Sequence, residues 1–282
     1  MNNLNDAYAQ IMQLYRAEGL TPEPLEGIGF SGKWTSVFGT GSQSGMAFNF
    51  TGEHEFYGQT DPMRFIELQH FIGESLTSVA GYLAEKEGVL YLNALYLAVL
   101  NALSNPLNTA ERLKKRGFSV IPDSNFDFIR EDDFVTVIGA GGVVNHLRKL
   151  CKEVHVSDMR PQNALEGFWL GKEIYKGPAN IIFHSPEENE KLLAQSDVVL
   201  MTGSTLVNQT IFDLLPMIKK SRITGLFGPS AMLLPDYLRD LGVNFIMTSH
   251  ITNTKLMKGY MLDGFCKKTP EIFMSSYSIK IS

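Results

Sequence analysis

From Phe134 onward the chain repeats one pattern, and that pattern restricts its fold more than any other feature. Short continuous apolar runs alternate with segments of helical periodicity. The apolar runs lie at residues 135–138, 154–156, 181–183, 198–201, 223–227 and 245–247. The helical segments lie at 143–151, 187–195, 208–219, 233–241 and 254–261. A short strand that is apolar on both faces is buried on both faces, which means a parallel sheet covered by helices on each side. The expectation is an α/β protein whose C-terminal half is a Rossmann-like, doubly wound, mainly parallel sheet.

The first part of the chain reads differently. Leu4, Tyr8, Ile11, Met12 and Tyr15 recur at helical spacing up to Gly19, predicting a helix over 4–18. Residues 33–38 read as a strand, 39–42 as a turn and 45–50 as a returning strand. Residues 65–83 and 89–103 read as two helices, the second apolar nearly all round and so buried. Residues 117–133 carry Pro122, Asp123, Asn125, Asp127 and Arg130 and read as a connection. The predicted layout is a smaller α+β unit over 1–128 followed by the sheet unit over 129–282.

Composition narrows the partners. Hydrophobic residues make up 44% of the 282 positions, enough for an ordinary core. The net charge is −5, and the densest basic run, Arg112, Lys114, Lys115 and Arg116, reads as a solvated helix end. Nucleic acid is therefore not an expected partner. The most apolar segment, 89–103, is too short and too polar for a membrane span. The N-terminal residues lack the charged and apolar regions of a signal peptide. Two cysteines, Cys151 and Cys266, form no disulfide framework, and a cytoplasmic location is expected.

The candidate site residues follow strands. The first strand runs into Gly139, Ala140, Gly141 and Gly142, where glycines let backbone amides approach a phosphate or carboxylate. Asp158 stands after the second strand, where dinucleotide-binding sheets place a ribose-binding acid. The third glycine of that fingerprint is replaced by Val144, and no acid immediately precedes Gly139 as a S-adenosylmethionine site would favour. The plainer alternative is that the glycines only turn the chain. Thr202, Gly203, Ser204 and Thr205 form a small polar loop, and Asn208 can cap the helix after it. Gly228 and Ser230 follow another strand, and Thr248, Ser249 and His250 follow the last. In a parallel sheet all these positions share one edge, and ligands bind outside that edge. Gly203 is expected to leave amides uncovered, so that Gly203→Val blocks binding and spares the fold. None of the six histidines has metal-ligand spacing. Glu53, His54 and Glu55 are locally metal-friendly and are expected in a loop. Asn101, polar on an apolar helix, needs partners, either backbone at a domain junction or the cleft itself.

The stretch Thr202-Gly203-Ser204-Thr205-Leu206-Val207-Asn208, the helix end Asn101-Ala102-Leu103 and the glycine-rich entry to the second half together carry a resemblance. The chain resembles, over nearly its whole length, the two-domain proteins named for heavy-metal chelation. The resemblance implies an enolase N-terminal-like domain joined to a Rossmann-like domain, with a cleft between them. Two functions stay open. One is a protein that binds a small molecule or metal chelate in that cleft, in metal homeostasis or chelator metabolism. The other is an NAD(P)- or S-adenosylmethionine-dependent enzyme acting on a small metabolite. The cofactor is correspondingly open between a nucleotide-like ligand and a metal chelate. The expected partner is a small molecule rather than nucleic acid or a membrane, and a homodimer is compatible with the sequence.

Overall fold

The computed structural model describes residues 3–50, 62–86, 88–122, 126–262 and 273–281. Eight strands form the large sheet: β4 (Ser119–Ile121), β5 (Val135–Ile138), β6 (Val154–Ser157), β9 (Ile181–His184), β10 (Val198–Thr202), β11 (Ile223–Phe227), β12 (Phe245–Ile251) and β13 (Met274–Lys280). Their order across the sheet is β4-β13-β12-β11-β10-β5-β6-β9. The six strands from β12 to β9 pair in parallel, and β13 pairs antiparallel with both β12 and β4. The chain starts the parallel region at β5 in the middle, builds outward to β6 and β9, then returns to β10 and builds the other way. That reversal marks a doubly wound sheet, with its switch point between β5 and β10.

Alternation along the strands explains the two-sided burial. Val135, Val137, Val154, Val156, Val198 and Leu200 face one apolar cluster, which includes Val143, Val144 and Leu147 of helix α5 (Val143–Leu147). Their neighbours Ile138, Val199 and Met201 face the other cluster, which takes in Leu193 of α6 (Asn189–Gln195). That second cluster is also the core of the N-terminal part. It contains Ile11 of α1 (Leu4–Glu18), Val79 of α2 (Leu76–Ala84) and almost all of α3 (Leu90–Ser104). One continuous core thus joins the N-terminal helices to one face of the large sheet.

Three antiparallel strands, β1 (Leu25–Ser31), β2 (Trp34–Gly39) and β3 (Ser44–Phe48), form a separate meander in the order β1-β2-β3. α1 begins with a reciprocal capping box between Asn3 and Asp6 and ends at Gly19, which is left-handed at φ 63. β3 lies directly on α3. A Cβ at Gly45 would meet the Ala98 carbonyl oxygen and the Ala102 nitrogen at 2.3 Å each, so only glycine permits this approach.

Several elements differ from the sequence expectations. The helix expected over 143–151 stops at Leu147, and the one expected over 208–219 breaks into α8 (Ile211–Leu214) and a tight 3-10 turn, Leu215–Met217. Pro216 lacks the amide that a continuing helix needs. The helix expected over 65–83 is two pieces, Pro62–Phe71 and α2, separated where Gly73 takes φ 91. The connection expected over 117–133 contains β4 and the buried ring of Phe126. β1, β13 and the hairpin β7–β8 (Gly167–Leu170 and Ile174–Gly177) were not legible as strands. β13 carries three serines and no continuous apolar run, because it pairs antiparallel near the sheet margin.

Gly45→Ala is expected to lower the unfolding free energy by about 3 kcal/mol, since the clash is with backbone that cannot swing aside. Urea denaturation measures this, and an unchanged midpoint would contradict the close β3–α3 approach.

Candidate functional site

The loops at the C-terminal ends of the parallel strands do share one edge. They enclose a cleft of about 700 Å³, a size typical of small-molecule sites. Gly139, Gly141 and Gly142 after β5, Asp158 after β6, Thr202, Ser204, Thr205 and Asn208 after β10, Gly228 and Ser230 after β11, and Thr248 and Ser249 after β12 all line it. The opposite wall comes from the meander: Lys33, Trp34, Phe48 and Phe50. Sequence reading missed that wall. Its signal was present in the cross-strand pair Trp34 and Phe48, opposite each other in the β2–β3 register.

At the switch point β5 and β10 come very close. Gly139 has φ 89, and a Cβ there would meet Thr202 Cγ2 at 2.5 Å. The Ala140 amide donates to Asp158 Oδ2 at 2.6 Å. Asp158 Oδ1 accepts from the Arg160 amide and from Arg160 Nε, each at 2.9 Å, and Oδ2 accepts from Arg160 Nη2 at 2.8 Å. Arg160 Nη2 also donates to the Ala140 carbonyl at 3.1 Å. Burial pushes the Asp158 carboxyl up. The Arg160 side chain, the two amides and the guanidinium charge outweigh that, and its pKa lies below the usual aspartate value. Asp158 therefore braces the first two loops against each other and aims Arg160, instead of offering open oxygens to a diol. Gly141 and Gly142 are exposed, and among the described residues neither amide has a protein acceptor.

The polar loop after β10 is tied internally. Thr205 Oγ1 donates to the Thr202 carbonyl at 2.7 Å, and Ser204 Oγ donates to Thr202 Oγ1 at 3.3 Å. Asn208 Oδ1 accepts from Thr210 Oγ1 at 2.8 Å and from the Thr210 amide at 3.3 Å, bracing the turn before α8. Gly203 departs from expectation. It is buried behind the lining, its amide donates to the Phe227 carbonyl at 2.8 Å, and a Cβ would meet the Ala231 nitrogen at 2.7 Å. Its glycine identity serves packing of the β10 loop on the β11 loop.

Ser230 joins the two walls. Its Oγ accepts from the Phe48 amide at 2.9 Å, and its carbonyl accepts from Asn101 Nδ2 at 3.2 Å. Asn101 Nδ2 also donates to the Met46 carbonyl at 2.8 Å, so the buried amide sits at the junction and not in the cleft. His250 lies exposed beyond the lining. Glu53, His54 and Glu55 fall outside the described residues. Among the described residues, the non-glycine positions with left-handed backbone are Phe50 at φ 59 and Gln209 at φ 61. Phe50 lines the cleft, and Gln209 sits between two residues that do. Such strain concentrates at functional sites.

Among the described residues, no group of three or more His, Cys, Asp or Glu side chains could hold a metal ion. Cys151 is buried against Leu147, and burial pushes its thiol up to about 11, away from thiolate chemistry at neutral pH.

Two substitutions test this geometry. Folding stabilises the Asp158 carboxylate, so its contribution is complete above about pH 4 and disappears as pH falls through the lower folded value. Asp158→Asn should cost about 2 kcal/mol at neutral pH. Its urea midpoint should then fall less steeply with acidification below about pH 4 than the parent's, and parallel slopes would contradict the brace. Gly203→Val should also cost about 2 kcal/mol through its collision with the 230–231 backbone, where the sequence alone suggested a change that blocks binding and spares the fold.

The family comparisons agree with this architecture. A crystallised DUF364-family protein of unknown function from Pyrococcus horikoshii superposes with a TM-score of 0.70 at 21% identity, covering 98% of both chains. Another from Desulfitobacterium hafniense DCB-2 gives 0.67 at 18% identity, covering 96% of this chain and 99% of the other. An uncharacterized protein of Methanocaldococcus jannaschii is 25% identical over 174 residues, which is 60% of this chain and 54% of that relative. The DUF364 pattern, described as putative heavy-metal chelation, matches residues 124–269, which include the loops after all six parallel strands. The chain is a member of the DUF364 family.

Proposed function

We propose that this protein binds a small oxygen-rich molecule or a metal chelate in the cleft between the meander and the sheet edge, serving metal homeostasis or chelator metabolism. The observation that carries the reading is the convergence of five strand-end loops and the Trp34–Phe48–Phe50 wall on one cleft of about 700 Å³. The described cleft residues offer hydroxyls, backbone amides and few carboxylates, which suit the oxygens of an organic ligand better than a naked cation. A heavy metal, on this reading, arrives already held by its chelator, and the protein recognises the outside of the complex. The reading treats residues 1–128 and 129–282 as two units that each supply one wall, and it includes a cytoplasmic location.

A second reading has one specific observation in its favour. The parallel strand order with a glycine-rich loop after its first strand is the arrangement of nucleotide-binding sheets, which supports an NAD(P)- or S-adenosylmethionine-dependent enzyme. Against it stands Asp158, whose two oxygens already accept four hydrogen bonds.

Native mass spectrometry of protein purified without denaturation separates the readings. The expected result is a small organic or metallo-organic adduct that is missing from Gly142→Trp, a bulky substitution at a cleft-lining position where a Cβ meets nothing within 4 Å. An adduct of nicotinamide dinucleotide or S-adenosylmethionine mass would favour the enzyme. An adduct retained in Gly142→Trp would remove the cleft as the site.

A further inference from the structure

We infer that the ligand of this cleft is two-ended, with a planar aromatic body against the Trp34–Phe48–Phe50 wall and an anionic oxygen head group on the Gly141 and Gly142 amides beside Arg160. The inference rests on the proposal that the cleft is the ligand site, and it names the chemical class that fits there.

The two walls differ in kind. On the meander side the Trp34 and Phe48 rings meet edge to face, with centroids 5.7 Å apart and planes at 88°. Phe48 and Phe50 repeat that contact at 5.0 Å and 84°. All three rings line the cleft, and an aromatic wall of this kind suits a planar apolar group, which can pack edge to face or offset against it. Phe50 holds its place in a left-handed backbone conformation that bulky L residues disfavour, yet it is only 6% exposed. The surrounding structure thus fixes that ring at the cleft. Phe227 and the adaptable thioethers of Met247 and Met274 extend the apolar lining.

On the sheet side the groups are donors. Gly141 and Gly142 present amides that only donate, so they call for acceptor oxygens. Arg160 is held at the same loop through Ala140 and Asp158. Asp158 balances Arg160, and among the described residues the other charged groups lining the cleft, Lys33 and Asp213, are one of each sign. Lys33 Nζ lies 5.7 Å from the centre of the Phe48 ring, so the aromatic wall carries a cation of its own. A carboxylate or phosphate satisfies the amides and meets Arg160, while its organic body reaches the rings. A nucleotide would also require a ribose acceptor, and Asp158 is engaged.

The test uses phenyl phosphate, phenol and inorganic phosphate as probes. The chain has two tryptophans, so in a Trp169→Phe background Trp34 is the sole reporter. Phenyl phosphate should change Trp34 fluorescence saturably and, by titration calorimetry, bind at least ~10-fold more tightly than phenol or inorganic phosphate, about 1.4 kcal/mol. Gly142→Pro removes one amide at φ −56, where proline fits and a Cβ meets nothing. It should weaken phenyl phosphate and inorganic phosphate alike, by ~10-fold. Phe48→Leu should weaken phenyl phosphate by ~10-fold and leave inorganic phosphate unchanged. Circular dichroism confirms folding of each variant. Equal affinity for phenyl phosphate and inorganic phosphate, or a Trp34 signal that saturating phenyl phosphate leaves unmoved, would overturn the two-ended ligand. Failure of all three probes to bind would overturn it too. In either case a purified adduct lost in Gly142→Trp would still uphold the cleft as the site.

Discussion

The cleft exists because one buried amide holds its two walls in register. Asn101 is fully buried near the end of a mostly apolar helix, and its Nδ2 donates to the Met46 carbonyl of the meander and to the Ser230 carbonyl of the β11 loop. A polar group in that position is costly unless bonded, so its two donors specify where strand and loop must lie. Ser230 completes the junction by accepting the Phe48 amide on its hydroxyl. Gly45 sets the depth by letting β3 touch the backbone of α3, and Gly203 does the same for the β10 and β11 loops. Small residues determine the spacing at each contact, and the aromatic and polar walls face each other as a result.

The sheet supplies the second constraint. Its order reverses between β5 and β10, so the loops leaving those strands diverge and open a crevice at the edge. Gly139 against Thr202 brings the two strands close at that point, and the Asp158–Arg160 pair locks the neighbouring loop. The helices after these loops are short, five residues in α5 and four in Ser204–Val207. Helix dipoles therefore contribute less to ligand binding than the glycine-rich sequence suggests. On the proposed reading, backbone amides, Arg160 and the rings are left to carry recognition.

Much of this was legible in the sequence, for identifiable reasons. Two-sided burial makes parallel strands read as continuous apolar runs, so all six were visible with their loops. That placement alone put Gly139, Asp158, Thr202, Gly228 and Thr248 on one edge. Strands with one wet face, such as β13, and short marginal ones, such as β4, carry no such run and were missed. Asp158 looked like an open acid because nothing in the linear pattern shows that Arg160, two residues on, folds back onto it. Gly203 looked like a ligand cradle because the approach of residues 230–231 depends on a contact between separate loops. The aromatic wall is the instructive omission. Trp34, Phe48 and Phe50 were read as strand residues, and only the register shows that they form one surface.

The central claim is that the space between the Gly141–Gly142 loop and the Trp34–Phe48–Phe50 wall is where this protein holds its ligand. A crystal structure of protein purified natively and never stripped tests it most directly. The account predicts continuous electron density bridging the two walls, with oxygens within hydrogen-bonding distance of the Gly141 or Gly142 amide. An unfilled cleft in a crystal whose ligand, or whose metal ion coordinated directly by protein side chains, lies elsewhere would contradict it.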